Sequence, residues 1–175
     1  MNQRISEKIR KTSETEIFVK LNIDGTEEKK IKTGIGLLDH MLDLFAFWGH
    51  FDLDVIVNRG DFNIDIHHTN EDVVIVLGQA FKDALGDKKG INRIGSASVP
   101  MEDVTASVAV DISGRGHFNL DCDTKQEGFS ELLNCKLGKQ KEYDLSYAIH
   151  FFEALAKHLG MNLNVKIDPI SPDIH

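Results

Sequence analysis

Cysteine is scarce in this 175-residue chain: Cys122 and Cys135 are the two, and no CxxC pair occurs. That argues against a disulfide framework and against a thiolate zinc site, and it suits a reducing compartment. A basic surplus is also lacking. Lys and Arg number 20 against 28 Asp and Glu, for a net charge of −8. Binding nucleic acid through a general basic surface is therefore disfavoured, although a local basic pocket for an anion is not. No apolar run approaches the roughly 20 residues that span a bilayer, and the opening "MNQRISEKIRKTSETE" has no signal-peptide apolar core. Neither a nucleic-acid nor a membrane partner is expected, and the expected location is the cytoplasm. What remains is a globular balance, 41% hydrophobic and 27% charged, which argues against disorder. The length accommodates one domain or two small fused halves.

The periodicities alternate between two kinds. In "TEIFVKLNIDG", Ile17, Val19, Leu21 and Ile23 share one face, as in a half-buried strand closed by Asp24-Gly25. A short strand around "KKIKTG" is expected to pair back on it. "GLLDHMLDLFAFWG" places Leu38, Met41, Leu42 and Phe45 at helical spacing, and "FDLDVIV" follows as a strand. "EDVVIVLGQAFKDALGD" is amphipathic, with Val73, Val76, Leu77, Ala80, Phe81 and Ala84 inward and Gly86 as a stop. Two more alternating stretches, "VTASVAVDIS" and "HFNLDCD", precede a helix in "DLSYAIHFFEALAKHLG". In that helix Leu145, Ala148, Phe152, Leu155 and Leu159 face a core, and the strand "MNLNVKI" comes after it. The order predicts an α+β fold, mainly antiparallel sheets with helices on one face.

A shift of 110 positions lays one half on the other. His40 falls on His150, Asp43 on Glu153, Ala46 on Ala156, Leu53 on Leu163 and Val55 on Val165. The chain is thus expected to be a duplication, residues 1–88 and 89–175. The first half continues from its last strand to "DIHHTNEDV"; the second continues to "DIH" at His175. A complete second copy would go on to another histidine, an acid and an apolar helix. The expectation is that this helix is missing, as a truncated product or as a natural variant.

"HHTNEDV" carries the chemistry. If it opens a helix, His67 and Glu71 are four apart and His68 and Glu71 three apart, so one turn presents two imidazoles and a carboxylate. Such N and O donors suit Mn, Fe or Zn. Adjacent helical side chains diverge by about 100°, so His67 and His68 are expected to face two different ions. Taken alone, the motif reads equally as a polar helix start in which Thr69 and Asp72 act as a cap. His40 and His150, each beside an acid, read individually as salt-bridged surface histidines. Their matching places in the two halves favour a ligand role. His50, His117 and His158 have no repeat partner and are expected at the surface or in a supporting role.

"TGIGLLDHMLDLF", "DIHHTNEDVVIVLGQAF", "RIGSASVPMEDV" and "VAVDISGR" together resemble imidazoleglycerol-phosphate dehydratase, from about Arg10 to Ile167. The resemblance implies two similar halves, each a four-stranded sheet backed by two helices. It also implies a large homo-oligomer built from trimers, a 24-mer, with two Mn²⁺ sites per subunit. The reaction it implies is loss of water from D-erythro-imidazole glycerol phosphate, giving imidazole acetol phosphate in histidine biosynthesis. The substrate ring would bind metal as an imidazolate and expel the hydroxyl through a diazafulvene-like species.

By position, the resemblance assigns metal ligation to His40, His67, His68, Glu71, His150 and His175. Glu14, with Glu71, is assigned catalytic work, Glu14 as the acid/base group. Arg93 and Arg115 are assigned to the substrate phosphate, which forked guanidinium donors suit. The chain departs from the family pattern at Trp48, where histidine is usual, at His50, where glycine is usual, and in "PMED". Because the second HHxxE motif is incomplete, the second metal site is expected to be deficient, and the chain's own activity impaired or absent. Two other readings stand beside this one: a metal-dependent hydrolase using "HHxxE", which the repeat and the lack of HExxH disfavour, and a non-catalytic metal-binding assembly protein of the same fold.

Overall fold

The computed structural model describes residues 4–122 and 143–168. The chain divides into two compact units, Met1–Lys89 and Gly90–His175. The first contains β1 (Ile5–Lys11), β2 (Glu16–Asn22), β3 (Lys29–Lys32), α1 (Gly36–Gly49), β4 (Asp52–Arg59) and α2 (His67–Leu85). The second contains β5 (Ile94–Met101), β6 (Val104–Asp111), β7 (His117–Cys122), α3 (Leu145–Leu159) and β8 (Asn162–Asp168). The sheet orders are β1-β2-β4-β3 and β5-β6-β8-β7. In both, the first two pairings are antiparallel and the last is parallel. The α+β expectation holds, and the repeat seen in the sequence is a repeat of topology.

The core of the first unit follows from alternation. Ile17, Val19 and Leu21 on β2 are fully buried and stand opposite Val57, Val55 and Leu53 of β4. Against this face α2 lays Val73, Val76, Leu77, Ala80 and Phe81. α1 buries Leu38, Leu42 and Ala46, while Met41 and Phe45 lie nearer solvent. Phe45 still packs edge-on against Phe81, 5.7 Å between ring centres, and both rings contact Phe51 at 5.3 and 5.2 Å. This triangle joins the two helices. In the turn before α1, the Asp39 carboxylate accepts from the Thr33 N–H at 2.7 Å and hydroxyl at 2.5 Å.

Two expectations needed correction, and one strand, β1, had gone unread. The "KKIK" strand pairs parallel with β4, not back on β2, because α1 carries the chain over and returns it in the same direction. β1 gave no apolar alternation, since its inner positions are polar. Ser6 donates to the Ala80 carbonyl, Lys8 pairs with Asp83 and Arg10 with Asp72, all on α2. On α3 the buried aromatic is Phe151, whereas Phe152 is more than a third exposed and stacks on Phe118.

In the second unit, Asp144 caps α3 by accepting from the N–H groups of Ser146 at 3.0 Å and Tyr147 at 3.3 Å. Gly160 ends the helix at φ +82°, a conformation glycine adopts without strain. α3 packs on β7 and β8. Among the described residues no helix covers β5, which is exposed along its whole length. No described helix is long and apolar enough to cross a membrane.

Two outcomes are expected. Leu77→Ala empties a fully buried position and should lower the unfolding free energy by about 2–5 kcal/mol in denaturant titrations. Asp52 accepts from the Thr26 N–H at 2.6 Å, the Glu28 N–H at 3.1 Å and Asn22 Nδ2 at 2.9 Å, and these bonds hold its carboxyl below its ordinary value. A depressed folded value means stabilisation that is present above 3.8 and fades as pH falls through the lowered value. Asp52→Ala should therefore melt below the parent at pH 7, with the gap narrowing in acid.

Candidate active site

Glu14 sits on the turn between β1 and β2. The Thr12 N–H donates to the Thr15 carbonyl at 2.9 Å, and the Thr12 hydroxyl accepts from the N–H groups of Glu14 and Thr15. The turn is anchored from outside. Arg59 donates to the Thr12 carbonyl at 2.6 Å, and buried Thr15 donates its hydroxyl to Asp72 Oδ2 at 2.5 Å. Arg10 Nε donates to the other Asp72 oxygen at 2.7 Å. The closure of this turn holds the exposed Glu14 carboxylate beside the first turn of α2.

α2 starts at His67, so HHTNEDV does open a helix, but without the cap that the polar-start reading gave it. Neither Thr69 nor Asp72 caps the helix. Asp65 accepts from the His67 N–H at 2.6 Å, Thr69 Oγ1 accepts from the Asp61 N–H at 3.0 Å, and Asp72 serves Arg10 and Thr15. The two imidazoles have different neighbours, and their ring centres lie 5.8 Å apart. Their ring planes are 68° apart. His67 Nε2 lies 3.9 Å from Glu71 Oε2, whereas His68 Nδ1 lies 2.8 Å from Asp61 Oδ2 and 3.6 Å from Glu14 Oε2. Glu71 is thus a neighbour of His67, and His68 belongs with Glu14 and Asp61. The Asp61 bond, reinforced by the charges of Glu14 and Asp65, pulls the His68 imidazole above its usual value against the cost of desolvation.

Ligand-capable atoms of Glu14, Asp61 and His68 all lie within 4.8 Å of one another. An imidazole nitrogen with two carboxylate oxygens is a donor set that fits a divalent ion such as Mn²⁺. Sequence reasoning found Glu14 and His68 and missed Asp61. Asp61 lies in the loop after β4, outside any helical or strand period, so spacing could not point to it; its one sequence signal was an acid close before a histidine pair.

The remaining positions are distributed as follows. His40 is exposed on α1 and is not part of the Glu14–Asp61–His68 set. Its acidic neighbours are engaged elsewhere, Asp39 with Thr33 and Asp43 with Lys29 at 3.1 Å. Trp48 is three-quarters exposed, and His50 ends α1 at φ 55° with Nδ1 against Glu27. In the second unit His150 is exposed on α3. Arg93 grips Asp111 with Nε and Nη2, and this fork raises the guanidinium's value and lowers the carboxyl's. Arg115 adds a weaker, through-space lowering of the same Asp111 carboxyl, whereas of the two arginines Arg93 alone contacts it. His175 lies outside the described residues.

Residues 33–175 match the family model for imidazoleglycerol-phosphate dehydratase. Relatives of that name include the Geobacter metallireducens protein, 51% identical over 90% of this chain and 75% of its own length. The Clostridium botulinum protein is 50% identical over 95% of this chain and 80% of its own. The fold is similar to the Staphylococcus aureus imidazoleglycerol-phosphate dehydratase crystal structure, with TM-score 0.75, 28% identity, and coverage of 95% of this chain and 85% of that one. It is likewise similar to the Pyrococcus furiosus structure, with TM-score 0.72, 29% identity, and coverage of 94% and 81%. The sheet order, the histidine-pair helix and these relatives converge: the chain belongs to the imidazoleglycerol-phosphate dehydratase family, hydro-lyases of histidine biosynthesis.

Proposed function

We propose that this chain removes water from D-erythro-imidazole glycerol phosphate with the help of Mn²⁺, and that Glu14 moves the proton. The observation that carries the reading is the Glu14 carboxylate held 3.6 Å from the His68 imidazole at the start of α2, in one cluster with Asp61. His67, His68 and Glu71 would hold metal from the first unit, with His40, His150 and His175 assigned by the family resemblance. An ion bound there supplies Lewis acidity and a template that orients the substrate's imidazole.

The chain's own groups do the rest. The proton to be removed sits on carbon and is not acidic by itself, so it needs a base at contact distance. Glu14 suits that work. Its carboxylate is exposed, it stands on a turn pinned at Thr12 and Thr15, and it is held beside a ligand histidine. Arg93 and Arg115 supply anion recognition. Asp111 occupies two of the five guanidinium N–H donors of Arg93 and orients the others, which leaves three for a phosphate. The resemblance also supports assembly of the chain into a large homo-oligomer built from trimers.

The direct experiment follows dehydration of imidazole glycerol phosphate by the metal-stripped chain before and after Mn²⁺ is restored, with the particle weighed by light scattering. Activity that is unchanged by stripping would overturn the metal role. Glu14→Gln should lower kcat by roughly 10²–10⁴-fold while Mn²⁺ affinity changes only a few-fold. Arg93→Ala and Arg115→Ala should each raise KM roughly ten-fold or more, the loss of a charge-assisted contact, with smaller changes in kcat.

A further inference from the structure

Asp61 is given no role of its own above, yet within the Glu14–Asp61–His68 cluster it makes the shortest contact, 2.8 Å from Oδ2 to His68 Nδ1. We infer that Asp61 is a positioning residue: it accepts the His68 Nδ1–H, fixes the imidazole as the tautomer with Nε2 bare, and aims that nitrogen at the ion. The inference rests on the metal-dependent reading and deepens it.

Four observations support it. First, a ring nitrogen that ligates a divalent ion must be unprotonated, and the partner of the other nitrogen decides which one that is. Histidine ligands commonly donate their second N–H to a carboxylate for this reason. Second, the Asp61 side chain is largely covered, 16% exposed, whereas His68 is 44% and Glu14 54% exposed. Both carboxylates approach the same ring nitrogen, Nδ1, the covered Asp61 within hydrogen-bond distance and the more exposed Glu14 at 3.6 Å. Third, the Asp61 main chain is tied separately to α2 through its N–H and the buried Thr69 hydroxyl at 3.0 Å. That bond spans the loop from β4 to the residue next to His68, so donor ring and acceptor carboxylate are held in register by a second contact. Fourth, with Nδ1 committed to Asp61, the Glu14 carboxylate at 3.6 Å is not needed to hold the ring and stays available for proton transfer.

The test is Mn²⁺ titration of the full metal-stripped chain, with free ion counted by electron paramagnetic resonance. Asp61→Ala should weaken binding roughly 10–100-fold. Asp61→Asn should stay within a few-fold of the parent, because the amide oxygen accepts the same N–H. Metal-free Asp61→Ala should melt close to the parent, since the bond to Thr69 uses backbone; Asp61→Ser, too short to reach Nδ1, serves the same purpose if the alanine variant is poorly folded. Parent-like affinity in Asp61→Ala and Asp61→Ser would overturn the inference. Equal loss in Asp61→Asn and Asp61→Ala would also overturn it, by making the carboxylate a direct ligand. A parent chain that takes up no Mn²⁺ at all would instead sink the metal reading on which the inference stands.

Discussion

Asp72 is the contact on which the site depends. It is one residue past the acid of the HHxxE motif, its side chain is 13% exposed, and both its oxygens are used, by Arg10 on β1 and by Thr15 beside Glu14. A carboxylate this covered is costly unless paired and hydrogen-bonded. Here the guanidinium and the buried hydroxyl together offset that cost, and neither works alone: the cation neutralises, while the hydroxyl fixes the turn. The result is mechanical. Helix α2, which carries both histidines, is fastened to the one turn that carries Glu14. The acid/base candidate and the ligand candidates come from opposite ends of the first unit's sequence, and this bridge brings them within 4 Å.

In the first unit's central strand and in α2, where burial is apolar and periodic, the fold was legible in the sequence. Ile17, Val19 and Leu21 alternate because β2 is central and covered on one face, and the α2 stripe is continuous because the helix lies on β1 and β2. Where burial is polar, legibility failed. β1 offers Ser6, Lys8 and Arg10 to a helix flank, so a pattern that counts hydrophobic residues sees nothing. The direction of β3 failed for another reason, since alternation says nothing of strand polarity. Phe151 and Phe152 exchanged places because both are aromatic and adjacent, and only the partner surface, Phe118, distinguishes them. The site divides in the same way. His67, His68 and Glu71 share one helical turn and could be read together. Asp61 reaches His68 across a loop, and a loop has no period.

Duplication explains why the two units share one strand order without sharing one surface. The interior requirement repeats, so the alternating positions repeat. The polar decoration does not: the first unit gathers carboxylates around His68, and the second pairs Arg93 with Asp111. A single scaffold used twice can in this way carry a carboxylate–imidazole cluster in one copy and a guanidinium–carboxylate pair in the other.

The parallel pairs, β3 with β4 and β7 with β8, have one more consequence. Parallel neighbours cannot be joined by a tight hairpin and need a long crossover. α1, with His40, lies in the first crossover, and α3, with His150, lies in the second. Each of these histidines therefore rides on the segment whose docking closes its sheet, and loop closure of that kind comes at an entropic cost early in folding. Neither sheet acquires its parallel pair until the crossover that contains the histidine-bearing helix has closed. Closing each crossover thus pairs the last strand and brings its histidine-bearing helix to the sheet in one topological step.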